Sequence, residues 1–82
     1  MSSELETEAE FTVEQADEET ILVRHTAESH RYAYFIVAEG GHRILGDGIT
    51  INNQAIANEG TIYNAQARAF AEKEARERKL ID

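Results

Sequence analysis

The 82-residue chain contains no cysteine, no proline and no tryptophan. Without cysteine it cannot form a disulfide or hold a metal through thiolates, which removes the commonest covalent support of small secreted domains. The absence also fits a reducing compartment, so we expect a cytoplasmic protein. A chain of this length supports one domain with one small core.

Long apolar runs are absent as well. No segment approaches the roughly 18 apolar residues that read as a membrane span, and Met1–Glu4 has neither the basic nor the apolar stretch of an export signal. We therefore expect a soluble protein that is not exported and does not contact a membrane.

Basic residues are missing from the first twenty positions, which carry eight acidic ones. From Ile21 onward, eight acidic and eight basic residues balance, so the first twenty residues account for the whole formal net charge of −8. Low apolar content and high charge predict disorder at the very start of the chain. We therefore divide the chain into an acidic, disordered arm over residues 1–19 and a single small α+β domain over residues 20–82.

The segment Arg31–Ala38 is the longest run of aromatic and β-branched residues and predicts a central strand. Both of its faces are apolar, as expected for a strand that is covered on both sides. Upstream, Thr20–Thr26 predicts a second strand, joined to the first by a four-residue hairpin loop at Ala27–His30. That pairing would set Val23 opposite Tyr34.

Three further segments favour short strands. Phe11–Glu14 can add an edge strand. Arg43–Leu45 and Ile49–Ile51 are separated by Gly46–Gly48, so they form either one kinked strand or two short ones.

The C-terminal third predicts helix. Ala55–Ala57 suggests one helical turn that Gly60 would end as a left-handed cap. Thr61 or Asn64 is then the N-cap of a helix that runs to about Lys79. The predicted fold is α+β: a three- or four-stranded antiparallel meander followed by one long C-terminal helix packed on one face. The other face would be left partly bare, to be covered by a homodimer or by a partner protein.

The sequence offers little catalytic chemistry. His25, His30 and His42 match no compact metal-ligand spacing, and no serine stands in a context that activates a nucleophile. Gly46–Asp47–Gly48 lacks the remainder of a phosphate-binding motif. We therefore expect no catalytic residue, no cofactor and no bound metal.

Strands followed by a helix superficially resemble the β-β-β-α part of double-stranded RNA-binding domains. This chain has no lysine pair at the start of its helix, and its acidic arm would repel phosphates. Direct nucleic-acid binding is therefore the less favoured interpretation.

Acidic residues recur at every second position near the N-terminus. An extended chain would place these carboxylates along one side, about 6.6 Å apart. Such a row imitates a phosphate strand and suits a groove lined by lysine and arginine; the alternative is a tail that only improves solubility. The row consists of Glu4, Glu6, Glu8 and Glu10.

In size, acidity and simple sheet-plus-helix architecture, the chain resembles small inhibitors encoded by phages and mobile elements, including anti-CRISPR proteins and other nucleic-acid mimics. The resemblance implies a non-enzymatic protein-binding module that occupies a basic surface of a nucleic-acid-binding partner. Besides the acidic row, the candidate contacts are Arg24, Tyr32 and Tyr34, taken as exposed residues of the sheet. The alternatives are a homo-oligomeric structural or accessory protein and a small nucleic-acid-binding domain.

Overall fold

The computed structural model of the protein describes residues 10–82. Four strands form one antiparallel sheet in the order β1-β2-β3-β4, and one α-helix follows them. This confirms the α+β meander with a C-terminal helix. The elements are β1 (Phe11–Ala16), β2 (Thr20–His25), β3 (Arg31–Glu39), β4 (His42–Ile51), a 3-10 helix η1 (Gly60–Tyr63) and α1 (Asn64–Glu77).

None of the helices in residues 10–82 is long and apolar enough to cross a membrane.

Strand β1 confirms the edge strand predicted at Phe11–Glu14, and it lies inside the segment assigned to the acidic arm. Phe11–Ala16 pairs with β2, with Phe11 opposite His25. Phe11 is buried, and its ring stacks on Phe70 of α1 at a centroid distance of 5.6 Å. Residues 11–16 therefore belong to the sheet and not to the arm, because the apolar side chain of Phe11 outweighs the acidic character of its neighbours. Disorder of the preceding segment stays a prediction, since residues 1–9 lie outside the described part of the chain.

The β2–β3 hairpin closes two residues away from the predicted register. Val23 faces Tyr32 and Ile21 faces Tyr34. The His25 amide bonds the carbonyl of His30 at 2.8 Å, so the four-residue loop lies one position earlier than predicted, and Ser29 within it adopts a left-handed conformation (φ 61°). Since the slip is even, every side chain stays on its predicted face.

Helix α1 covers one face of the sheet through a line of alanines. Ala67, Ala71 and Ala75 have no exposed surface, and neither does Tyr32 on the strand face below. Such small side chains let the helix lie close to the sheet. The buried Tyr32 hydroxyl donates to the Gly60 carbonyl at 2.8 Å, so its polar group is satisfied within the core.

Strand β4 is continuous but kinked, which decides between the two predicted alternatives. Its pairing with β3 shifts opposite Phe35, where the extra residue of a β-bulge is inserted. Gly48 follows the bulge, and a Cβ there would overlap the Tyr34 ring and lie 2.8 Å from the Ala33 carbonyl oxygen. Glycine at this position lets the tyrosine ring lie directly on β4.

The segment before α1 differs from the prediction. Residues 54–58 form turns and bends rather than a helical turn, and Gly60 begins η1 instead of ending a helix. The Gly60 amide donates to Asn52 Oδ1 at 2.6 Å. Neither predicted residue caps α1 through its side chain; the Oδ1 of Asn64 instead accepts a hydrogen bond from the Thr50 hydroxyl at 2.8 Å.

Candidate protein-binding surface

The two tyrosines proposed as partner contacts lie beneath α1. Tyr32 has no exposed surface and Tyr34 is 6% exposed, so the expectation that they are exposed is wrong. They share a strand face with Ile21 and Val23, which are also fully buried. That parity was a usable signal, because the opposite face of the same two strands carries Arg24 and Arg31.

Arg24 lies on the uncovered face, opposite the tyrosines, so the structure does not bring these three predicted contacts together. Its Nε donates to Glu14 Oε2 at 3.0 Å, and Arg31 Nε donates to the other oxygen of that carboxylate at 2.7 Å. The bond from Arg31, with the charges of both arginines, holds the pKa of Glu14 below its usual value. Of the predicted acidic row, Glu10 is exposed beside β1, whereas Glu4, Glu6 and Glu8 lie outside the described residues.

The uncovered face of the sheet, here called the open face, carries five large apolar side chains on β3 and β4. Between 37% and 53% of each is exposed, and together they present on the order of 400 Å² of apolar surface, comparable to the largest patch on a typical monomer. The strand register keeps them adjacent, with Val37 opposite Ile44. This open-face cluster consists of Phe35, Val37, Ile44, Ile49 and Ile51.

Most basic side chains bind groups within the fold. The Arg68 guanidinium donates to the carbonyls of Leu45 and Gly46 at 2.7 and 2.9 Å. Arg43 donates to the Lys79 carbonyl at 2.9 Å. The remaining engaged cations pair with carboxylates: Arg24 and Arg31 with Glu14, Lys73 with Glu77, and Arg78 with Glu74.

Acidic side chains, by contrast, collect at one end of the sheet. The β1–β2 turn consists of Asp17, Glu18 and Glu19, all exposed, and lines a shallow hollow of about 300 Å³. Asp17 accepts the backbone N–H groups of Glu19 and Thr20 at 2.8 and 2.9 Å, which lowers its pKa and keeps it charged. Glu39 lies at the same end of β3. Within residues 10–82 none of these four carboxylates forms an ion pair; we call them the acidic end.

A polar network at the opposite end of the strands escaped the sequence analysis. The Glu28 carboxylate accepts hydrogen bonds from Asn58 at 3.1 Å and from Tyr63 and His30, each at 3.2 Å. These bonds, with that from Asn58 first, lower the pKa of Glu28. Because His30 Nδ1 accepts the Asn53 N–H at 3.0 Å, its proton resides on Nε2 and points at Glu28.

That network joins the β2–β3 loop to the segment before α1. His30 has no exposed surface and both of its ring nitrogens are engaged. His25 accepts the Glu28 amide through Nδ1 and stacks on Tyr63 at 4.2 Å, while exposed His42 pairs with Asp82. In the described part of the chain, no group of three or more His, Cys, Asp or Glu side chains is placed to hold a metal.

No protein-family model, curated protein or solved structure matches this chain.

Proposed function

We propose that this chain is a non-enzymatic protein-binding module that occupies a basic surface of a nucleic-acid-binding partner, as small phage-type inhibitors do. The observation that supports it is that basic side chains and the carboxylates of the acidic end are paired within the fold to different extents. Six of the eight basic side chains bind carbonyls or carboxylates of the fold, whereas the acidic end pairs with none among residues 10–82.

The acidic end is therefore a local excess of negative charge that no cation among residues 10–82 neutralises through an ion pair. A field of one sign attracts an oppositely charged partner and raises its association rate. The same field repels phosphates, which argues against direct binding of DNA or RNA. In this proposal the row Glu4, Glu6, Glu8 and Glu10 extends the acidic surface, and the protein acts in the cytoplasm.

The role of the acidic end in partner binding can be tested by substitutions that leave the backbone of the β1–β2 turn intact. Glu18→Gln with Glu19→Gln removes two charges and leaves Asp17, whose carboxylate holds the backbone of the turn. The matched control, Glu59→Gln with Glu72→Gln, removes the same charge from exposed or half-exposed positions on other elements.

The experiment compares capture from a lysate of the source cell by the immobilised full chain and by both variants, with elution by a DNA oligonucleotide. We expect a nucleic-acid-binding protein that DNA displaces, that the acidic-end variant retains poorly and that the control retains fully. Capture that is indifferent to the acidic end, or that DNA does not reverse, would contradict the proposal.

A second candidate function, a homo-oligomeric accessory protein, is favoured by a different observation, the open-face cluster.

A further inference from the structure

The fold consists of two layers, and the open face has no cover within residues 10–82. Helix α1 packs on the other face, where all three of its buried alanines lie. On the open face, Phe35 is 43% and Ile49 is 53% exposed. We propose that a second copy of this chain covers the open face, which gives a two-fold dimer packed sheet against sheet.

The area of the open-face cluster suits a dimer. Two copies placed face to face would bury up to about 800 Å² of apolar side-chain surface, close to the roughly 1,000 Å² at which specific interfaces begin. This is the lower end of the usual range, which corresponds to a dimer that dissociates on dilution. The open-face cluster takes no part in the proposed function, although Glu39 belongs to both surfaces.

The charges on the open face identify the second copy as the occupant. At one end of the strands, Arg24 and Arg31 share the single carboxylate of Glu14, which leaves a local positive excess. At the other end of β3 lies Glu39, on the same strand face as Arg31 and Phe35. Each face is therefore positive at one end and negative at the other, as a self-complementary interface requires.

That polarity fixes the orientation of the two copies. A two-fold axis that lies between the sheets and crosses the strands places Arg31 of one copy near Glu39 of the second copy. Phe35 lies midway between these two positions on β3 and so falls close to the axis. Sheets packed face to face keep their strands within about 30° of one another, which this arrangement permits.

The first test measures the mass of the full chain by sedimentation equilibrium over a range of concentrations. We expect a concentration-dependent approach to twice the monomer mass of 9.2 kDa. Ile49→Asp and Val37→Asp should each weaken association by roughly tenfold or more, because a charge would be buried in the apolar centre. Ile62→Asp is the matched control, since Ile62 is 63% exposed on η1, away from the open face.

A monomer at all concentrations would overturn the proposal, as would a dimer that both open-face variants leave intact. Circular dichroism of each variant establishes that it is folded. Because two positions are substituted independently, the test still stands if one of the two variants fails to fold. The Glu18→Gln, Glu19→Gln variant should remain dimeric, so failure of the dimer and failure of the proposed function give different results.

The orientation is tested by cross-linking, for which a chain without cysteine is well suited. Phe35→Cys should give a covalent dimer with a short bis-maleimide, because this residue meets its own copy near the axis. Glu39→Cys and Ile62→Cys should not. Efficient self-cross-linking of Glu39→Cys, or none of Phe35→Cys, would overturn the proposed arrangement.

Discussion

The two faces of the sheet are built from the same strands and have similar apolar content, yet they lie in different environments. On the covered face, Ile21, Val23 and Tyr32 have no exposed surface. On the open face, Phe35 and Ile49 remain about half exposed. The difference depends on α1, whose buried alanines pack on one face only, and the pair Arg24 and Arg31 marks the other face in the sequence.

Truncation of one aromatic residue on each face should give the largest difference in stability between the two faces. Tyr32→Ala should lower the free energy of unfolding by about 3–5 kcal/mol, as expected for a fully buried aromatic side chain. Phe35→Ala should cost about 1 kcal/mol or less in the monomer, because much of its side chain already contacts solvent. Urea denaturation at low protein concentration measures both. Equal losses would show that the open face is covered within the monomer.

Glycine substitutions compare a severe overlap at Gly48 with a milder close contact at Gly46 along β4. Gly48→Ala should cost about 1–3 kcal/mol, because the added methyl group would overlap the Tyr34 ring on the covered face. Gly46→Ala should cost less, since its Cβ would meet a Val37 methyl group at 3.2 Å, which needs only a small shift. The same denaturation experiment ranks the two variants, and the reverse order would contradict this account of the kink.

Alkaline pH should destabilise the covered face. Burial raises the pKa of Tyr32 to about 12, against an ordinary value of 10.0. The folded state therefore retains a proton that the unfolded chain releases, so this contribution to stability is complete below pH 10 and is lost as the pH rises toward 12. Thermal melting between pH 9 and 12 measures the loss. Tyr32→Phe should flatten the curve, and an unchanged slope would contradict the assignment.

Acid pH should lower the stability of the open face, and this should be the smallest of the predicted effects. The pKa of Glu14 is lowered from 4.5 by its bonds with Arg31 and Arg24, so its contribution is present above that value and is lost as the pH falls below it. The pair is partly exposed, and we expect less than about 1 kcal/mol. Glu14→Gln should reduce the acid dependence of the melting temperature, with Glu18→Gln as the exposed control.

Much of the architecture follows from local patterns in the sequence. The run Arg31–Ala38 predicts β3, and the alanines of α1 predict a helix that packs closely on a sheet. The small shift in hairpin register was not predictable, because it depends on the left-handed conformation of Ser29, a residue without a strong preference for it.

The candidate surface was less predictable than the fold. A count of charges cannot reveal that Arg68 binds two carbonyls or that Arg24 and Arg31 share one carboxylate, since these contacts join residues distant in sequence. Likewise, Tyr32 and Tyr34 looked like contact residues because aromatic side chains are common at interfaces. The available signal was strand parity: Arg31 shares a face with Phe35, the residue after Tyr34, and that face is the exposed one.

The contact of Arg68 with the kink of β4 also bears on aggregation. β4 is an outer strand of the sheet, and an outer strand with unsatisfied carbonyls is a template for a strand of another molecule. The Arg68 guanidinium occupies the carbonyls of Leu45 and Gly46, where the pairing with β3 is interrupted. A single side chain on the helix thus satisfies two carbonyls at the most irregular part of this outer strand and leaves them unavailable to a strand of another molecule.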